Sequence, residues 1–426
     1  MTWSTLHRTY LLASMLAGPL ARPILNRRLE RGKEDPERLG ERLGIASIPR
    51  HRGKLIWLHG ASVGEAMSIL PLLNALLAAR SDLHVLVTTG TVTSAQRLSG
   101  LLPERAVHQF VPVDTRSSVR KFLNHWQPDL AIWVESEMWP RLVTDTARRG
   151  VPMAMVNARF SGKSLDAWRR APLMLRALLE SFRMIRTQDP ETTIRLRQFR
   201  VASRFSGNLK ALIGTPDCDR AALEAAGSAT AGRKVWLAAS THPADEEIVI
   251  PAQRILVDRF DASPLLVLAP RHPERGGDVE QALIGAGFSV AVRSRGERPD
   301  AQTDVWLADT LGEMGLWYRI APVTFAAGSF GTAGGHTPFE PILLDSAVIR
   351  GPNVSNFAPV YAALDARGGA VKVASADELA DAVERLLIDD RAHAHTIEAA
   401  RMAHADLMPD LDALTTELLT LLDSGA

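Results

Sequence analysis

The 426-residue chain has a single cysteine, Cys218. That excludes an internal disulfide and a cysteine-rich metal site, and it fits a reducing compartment. Neither sign of charge is in surplus: 49 lysines and arginines face 48 acids, for a formal net charge of +1. Binding along a nucleic-acid backbone normally needs a strong basic excess, so nucleic acid is not expected as a partner. Any anionic ligand must be met by a local site. The sequence also lacks a G-x-x-x-x-G-K-S/T phosphate loop, a G-x-G-x-x-G turn after its first strand and an H-E-x-x-H zinc pattern, which removes the nucleoside triphosphatase, ordinary dinucleotide and zincin readings. D-x-D occurs at 217–219 and 410–412 but follows no convincing strand, so no metal-dependent sugar transfer of that type is expected.

Near the N-terminus the apolar tract Tyr10 to Ala21 is only about a dozen residues long, and a spanning helix needs ~20. Arg8, Arg22, Arg27, Arg28, Arg31 and Lys33 surround it. The expectation is a helical segment, residues 1–45, lying in or on the inner leaflet with its arginines on anionic head groups. The alternative is a first helix packed on a domain.

With 46% apolar and 23% charged residues the remaining chain is globular and long enough for two domains. From Lys54 on, short apolar runs alternate with helical stretches, the rhythm of parallel α/β units. The first half supplies LIWLH, HVLVTTG, HQFVPV, LAIWVES, PMAMVNAR and MIRTQD; the second supplies VWLAAS, LLVLAPRH, FSVAVRS, DVWLAD, VTFAAGS and AVIRGP. Between them the stretch from Gly207 to Lys234 is rich in small and turn-forming residues. The expected fold is therefore α/β, with two Rossmann-like doubly wound domains over 46–213 and 214–426 facing a cleft.

Chemistry-bearing residues fall at the ends of these strands. Ser62-Val63-Gly64-Glu65 fits a capping box, yet a carboxylate at that place could also accept a proton from a hydroxyl. Glu135 and Glu137 close an apolar strand between Trp133 and Trp139, and in strand geometry would share a face. They could be a metal pair, or one could order a loop while the other shapes an acceptor side. Asn157, Arg159, Ser161, Asn208 and Lys210 follow later runs, either as ligand contacts or as solvated surface. In the second half Arg271 and His272 suit an anionic group. Gly312 and Glu313 precede a helix, and a glycine-rich turn leads to Thr337–Glu340, where backbone amides could meet phosphate or Glu340 could accept from ribose hydroxyls.

Taken in order, HGASVGE, VESEMWP, VNARFSGKS, GNLK, STHPADEE, PRHPER, DTLGEM and GGHTPFEP resemble the 3-deoxy-D-manno-octulosonic acid (Kdo) transferases of Gram-negative lipopolysaccharide synthesis. The resemblance runs from the N-terminal apolar segment to about Val373, and departs from the family where Thr337 stands in place of its usual asparagine. It implies a metal-independent glycosyltransferase of the B type without cofactor, working at the cytoplasmic face of the inner membrane. It further implies a CMP-Kdo donor bound by the C-terminal domain and a lipid A precursor, lipid IVA, as acceptor at the N-terminal one. By the same resemblance Glu65 is the catalytic base and Glu135 and Lys210 stabilise the transition state. Arg271, His272, Leu311, Gly312, Glu313, Thr337, Pro338, Phe339 and Glu340 match the CMP-contacting positions. Two other readings stand beside it: a two-domain nucleotide-sugar epimerase or hydrolase, and a membrane-bound nucleotide-binding scaffold whose catalytic residues are vestigial.

Overall fold

The structure, a computed structural model, describes residues 4–425. The chain forms two compact units: one runs up to Ile213 and takes in the chain from Met408 onward, and the other spans Gly214–Leu407. The sequence analysis assigned everything after 213 to the second domain. Leu414, Leu418 and Leu422 explain the difference. They line one face of the helix Leu411–Asp423 and are buried in a core of the first unit. Their four-residue spacing makes a single apolar stripe, which is covered only on that unit.

The first unit is built on the strands β1 Lys54–His59, β2 Leu83–Thr89, β3 Ala106–Phe110, β4 Leu130–Val134, β5 Met153–Ala158, β6 Met184–Thr187 and β7 Arg204–Phe205. They form a seven-stranded sheet ordered β3-β2-β1-β4-β5-β6-β7, parallel throughout. Side chains alternate along each strand, so Leu55 and Trp57 of β1 enter one core while Ile56 and Leu58 enter another on the opposite face. Helices cover both faces, which is why the central strands read as unbroken apolar runs.

The second unit repeats the scheme with β8 Val235–Thr241, β9 Leu265–Pro270, β10 Val290–Val292, β11 Val305–Leu307, β12 Val323–Ala326, β13 Ala347–Arg350 and β14 Ala370–Lys372. Its order is β10-β11-β9-β8-β12-β13-β14, again all parallel. Trp236 and Ala238 of β8 face one core, Val235, Leu237 and Ala239 the other. The expected twelve strands are present, and each sheet adds one short edge strand, β7 and β14.

In both sheets the first strand lies between neighbours from which the chain winds in opposite directions. The reversal falls between β1 and β4 in the first unit and between β8 and β12 in the second. Loops there diverge at the carboxyl ends of the strands and leave a crevice, the usual place for a ligand in such folds.

The N-terminal helix Thr5–Leu16 starts at Ser4, whose hydroxyl accepts from the His7 amide at 3.3 Å. It docks on the first unit: His7 bonds Thr144 at 2.9 Å, Tyr10 donates to Asp114 at 2.8 Å and the Arg141 guanidinium donates to Ser14 at 2.6 Å and to the Leu11 carbonyl. The described part of the expected 1–45 segment is thus no separate body. The same helix and the next, Gly18–Glu30, leave Leu6, Leu12, Met15, Leu16, Leu20 and Ile24 exposed. Among the described residues no helix is long and apolar enough to cross a membrane.

Candidate active site

β1 ends at His59, and the turn Gly60-Ala61-Ser62 leads into the helix Val63–Ser68. Ser62 caps it, accepting from the Glu65 amide at 3.3 Å. The Glu65 carboxylate folds back over the turn, taking the Ala61 amide at 2.7 Å and the Ser62 hydroxyl at 2.9 Å. Gly60 permits this, since a Cβ there would lie 3.3 Å from that of Glu65. Cap and strand-end acid are therefore one residue. Burial raises the pKa of Glu65 and the nearby Glu135 raises it further, while the Ala61 amide, Ser62 and Lys210 pull it back.

Across the reversal β4 ends at Val134, and Glu135 adopts φ +60°, a left-handed conformation uncommon for a residue with a side chain. The turn breaks strand alternation, so Glu135 and Glu137 do not share a face as strand geometry would require. Glu135 accepts from Lys210 Nζ at 2.5 Å. Glu137 instead approaches His59, with Oε2 3.9 Å from Nε2. Burial, and then the charge of Glu65, lift Glu137 to about 7. Burial lowers His59 to about 4, so the imidazole is neutral near pH 7 and this contact is no ion pair.

Lys210 is carried by the 3-10 turn Leu209–Leu212. Two of the sequence-derived polar residues place it: Asn157 accepts the Leu209 amide at 2.9 Å and Asn208 accepts the Lys210 amide at 3.0 Å. Ser161 caps the helix Gly162–Trp168, and the Arg159 carbonyl accepts from Ser136. The structure thus brings Glu65, Glu135, Glu137 and Lys210 to one reversal point. Asn157 and Asn208 support them, and Ser161 does no more than end a helix.

In the second unit Arg271 and His272 follow β9 and are exposed. Leu311, 75% exposed, and Gly312, at φ +86°, follow β11. Thr337 to Glu340 follow β12. Because the sheet is parallel, these loops share its carboxyl edge. Glu313 is held in a two-pronged pair with Arg293, at 2.6 and 3.1 Å, and by the Thr310 hydroxyl. This pairing lowers its pKa, while Leu311 and Gly312 beside it are exposed. Thr337 accepts the Phe339 amide at 3.4 Å at the start of the helix Phe339–Leu343. Pro338 and Phe339 are buried. Glu340, its pKa raised by burial, bonds the buried Tyr318. A ligand at this loop would therefore meet backbone and Thr337 rather than the Phe339 ring.

Sequence reasoning missed His242 and His336, whose nearly parallel rings meet end to end with Nε2 atoms 3.2 Å apart. Both stand in the quoted motifs STHPADEE and GGHTPFEP, but the 94 residues between them hide their contact. Among the described residues no group of three or more His, Cys, Asp or Glu side chains is arranged to hold a metal ion.

Known proteins resemble this chain. Residues 37–213 match the family model for 3-deoxy-D-manno-octulosonic-acid transferase (kdotransferase). A 3-deoxy-D-manno-octulosonic acid transferase of Rickettsia bellii is 32% identical over 89% of this chain and 90% of its own. A probable mitochondrial 3-deoxy-D-manno-octulosonic acid transferase of Arabidopsis thaliana is 31% identical over 98% of this chain and 95% of its own. Among solved structures, a glycosyltransferase from Rickettsia africae superposes with a TM-score of 0.59, 11% identity, 88% coverage of this chain and 99% of its own. That last likeness is one of fold. With identity above 30% extending over nearly the whole length, the chain belongs to the 3-deoxy-D-manno-octulosonic acid transferase family.

Proposed function

We propose that the chain is an inverting, metal-independent glycosyltransferase that moves Kdo from CMP-Kdo to a lipid A precursor, lipid IVA. Glu65 is its general base. The observation that carries this reading is the state of Glu65 at the first reversal point: two donors at 2.7 and 2.9 Å orient its carboxylate, and burial raises its pKa. A sugar hydroxyl is a poor nucleophile and needs a base within hydrogen-bond reach as it attacks the anomeric carbon. A carboxylate that is partly desolvated yet ionised is a stronger base than one in water. Lys210, oriented by Glu135, supplies fixed positive charge where negative charge develops.

The second unit binds the donor. Arg271 and His272 take the nucleotide's anionic part, and the backbone at Leu311, Gly312 and Thr337 meets the rest. The departing CMP keeps its charge, and stabilising it falls to these groups. Glu313 and Glu340 act within the protein, fixing their loops through Arg293 and Tyr318.

The acceptor is a lipid, and the first unit offers a surface suited to one. Beside the exposed apolar side chains of the first two helices, Arg8, Arg116, Arg120, Arg141, Arg148 and Arg149 line a cavity of about 560 Å³. Apolar side chains and a cationic rim together favour the surface of an anionic bilayer, here the cytoplasmic face of the inner membrane. Purified protein incubated with CMP-Kdo and lipid IVA in the presence of chelator should yield a lipid heavier by one or more Kdo residues by mass spectrometry. An unchanged lipid mass with full release of CMP would turn the reading to a hydrolase.

A further inference from the structure

The two histidines at the second reversal point have no part in the roles assigned above. His242 follows β8 and His336 lies in the turn after β12. Their rings are nearly parallel, 10° apart, with centroids 5.4 Å from each other, and His272 stands edge-on to His242 at 6.0 Å. At an Nε2 separation of 3.2 Å one nitrogen carries the hydrogen and the other offers its lone pair, so the neutral pair holds one hydrogen in common.

The surroundings are built to hold this geometry. Asp245, fully buried, accepts the amides of His242, Gly328, Ser329 and Phe330 at 2.8 to 3.1 Å, tying the turn after β8 to the turn after β12. Gly328 sits at φ +71°, where a Cβ would come within 2.9 Å of the His336 ring. Tyr361 donates to the His336 carbonyl at 3.0 Å. Ser240, the residue at which β8 shifts register against β9, is held at φ +59°.

Charge around the pair is of both signs. From the segment after β9 come Arg271, His272 and Arg275, the last paired with Glu246 at 2.7 and 2.9 Å. Against them stand Asp245, already engaged by four amides, Glu246, held by Arg275, and Glu274, 3.4 Å from His272 Nδ1. Burial lowers His336 to about 4, and His242 and Arg271 lower it further, with Asp245 and the Ser240 backbone opposing. His242 is lowered by burial and by His272, Arg271 and Arg275, against Asp245. With one ring N–H held between the two rings and the His336 ring bonded to the Ser240 backbone, an anion placed here would gain a ring N–H once a proton is added.

We propose that the hydrogen-bonded pair His242–His336, beside Arg271, binds the phosphate group of the sugar nucleotide, and that binding draws one proton from solvent onto the pair. Asp245 is the positioning residue that keeps the two turns together. The inference rests on the donor-site reading above and extends it to two residues outside the family positions named there.

Calorimetry tests it with CMP and cytidine as ligands, on the full chain, in buffers of different ionisation enthalpy between pH 6 and 8. Wild-type protein should take up a proton with CMP beyond the ligand's own titration and none with cytidine, and its CMP affinity should fall as pH rises. His336→Asn should lose this uptake, flatten the pH dependence and bind CMP about tenfold more weakly at pH 6.5, in line with one lost charge-assisted bond. His242→Asn repeats the test should the first variant fold poorly, and the CMP-to-cytidine difference needs no variant. CMP binding with no excess uptake and with unchanged affinity in both variants overturns the inference while leaving the donor site standing. Failure of the wild type to bind CMP at all overturns the donor-site reading itself, and the inference with it.

Discussion

The two units differ in strand order, yet each reverses beside its first strand and each carries an acid three residues after the N-cap of the helix that follows that strand. In the first unit it is Glu65 after Ser62, in the second Asp245 after His242. Their neighbours make them different groups. Glu65 has one amide and one hydroxyl, and burial raises its pKa; Asp245 is fully buried and accepts four amides. The same position beside a reversal thus holds a partly desolvated acid in one unit and a fully engaged one in the other. What separates them is how many backbone donors converge on the carboxylate.

Substitution should break that comparison in opposite directions. The largest effect is expected for Glu65→Gln. Transfer of Kdo, followed by product mass, should fall about 10³-fold, while the melting temperature holds or rises because a neutral side chain escapes the burial penalty. In the wild type, turnover should climb as pH passes the raised pKa of Glu65 and then level off.

Asp245→Asn should do the reverse. An amide offers one acceptor oxygen to four donors and turns its own N–H groups toward them, for a loss of about 3 kcal/mol. Calorimetry should show the melting temperature lower by about 6–12 °C, with weaker CMP binding following from the loosened turns.

Leu418→Ala sharpens the comparison by unit. Deleting this fully buried side chain should cost about 2–4 kcal/mol, and hydrogen exchange should show the loss in the first unit's core, not in the second, although residue 418 lies far along the chain.

The smallest effect is expected at Glu137. Its pKa is lifted to about 7 from an ordinary 4.5, so the folded state holds a proton that the unfolded chain releases, and wild-type stability falls as pH rises from about 4.5 to 7. Glu137→Gln cannot lose that proton. The variant's stability relative to wild type should therefore grow over the same interval and stay constant above pH 7, as read from denaturation midpoints at pH 4, 6 and 8.

The central strands were legible because parallel strands buried on both faces read as apolar runs; LAIWV and VWLAA need no context. β7 and β14 were not, because an edge strand of two or three residues such as Arg204–Phe205 has neither length nor apolar character. Candidate site residues could be found wherever a polar group follows an apolar run, and Glu65, Lys210 and Arg271 stand out on that ground. Their partners could not. The turn at Glu135 that sends it to Lys210 and Glu137 to His59 depends on one backbone angle, and the His242–His336 contact joins turns 94 residues apart. The stripe Leu414, Leu418, Leu422 announced an amphipathic helix without saying which core it would complete.

That returning helix gives the chain the grammar of a parenthesis. Residues 214–407 form an uninterrupted insert, and the host sequence resumes after it. A gene fragment stopping at 213 would omit part of its own interior, whereas the insert is one continuous stretch of sequence. Grafting a foreign nucleotide-binding cassette between Ile213 and Met408 would leave both ends of the host in place.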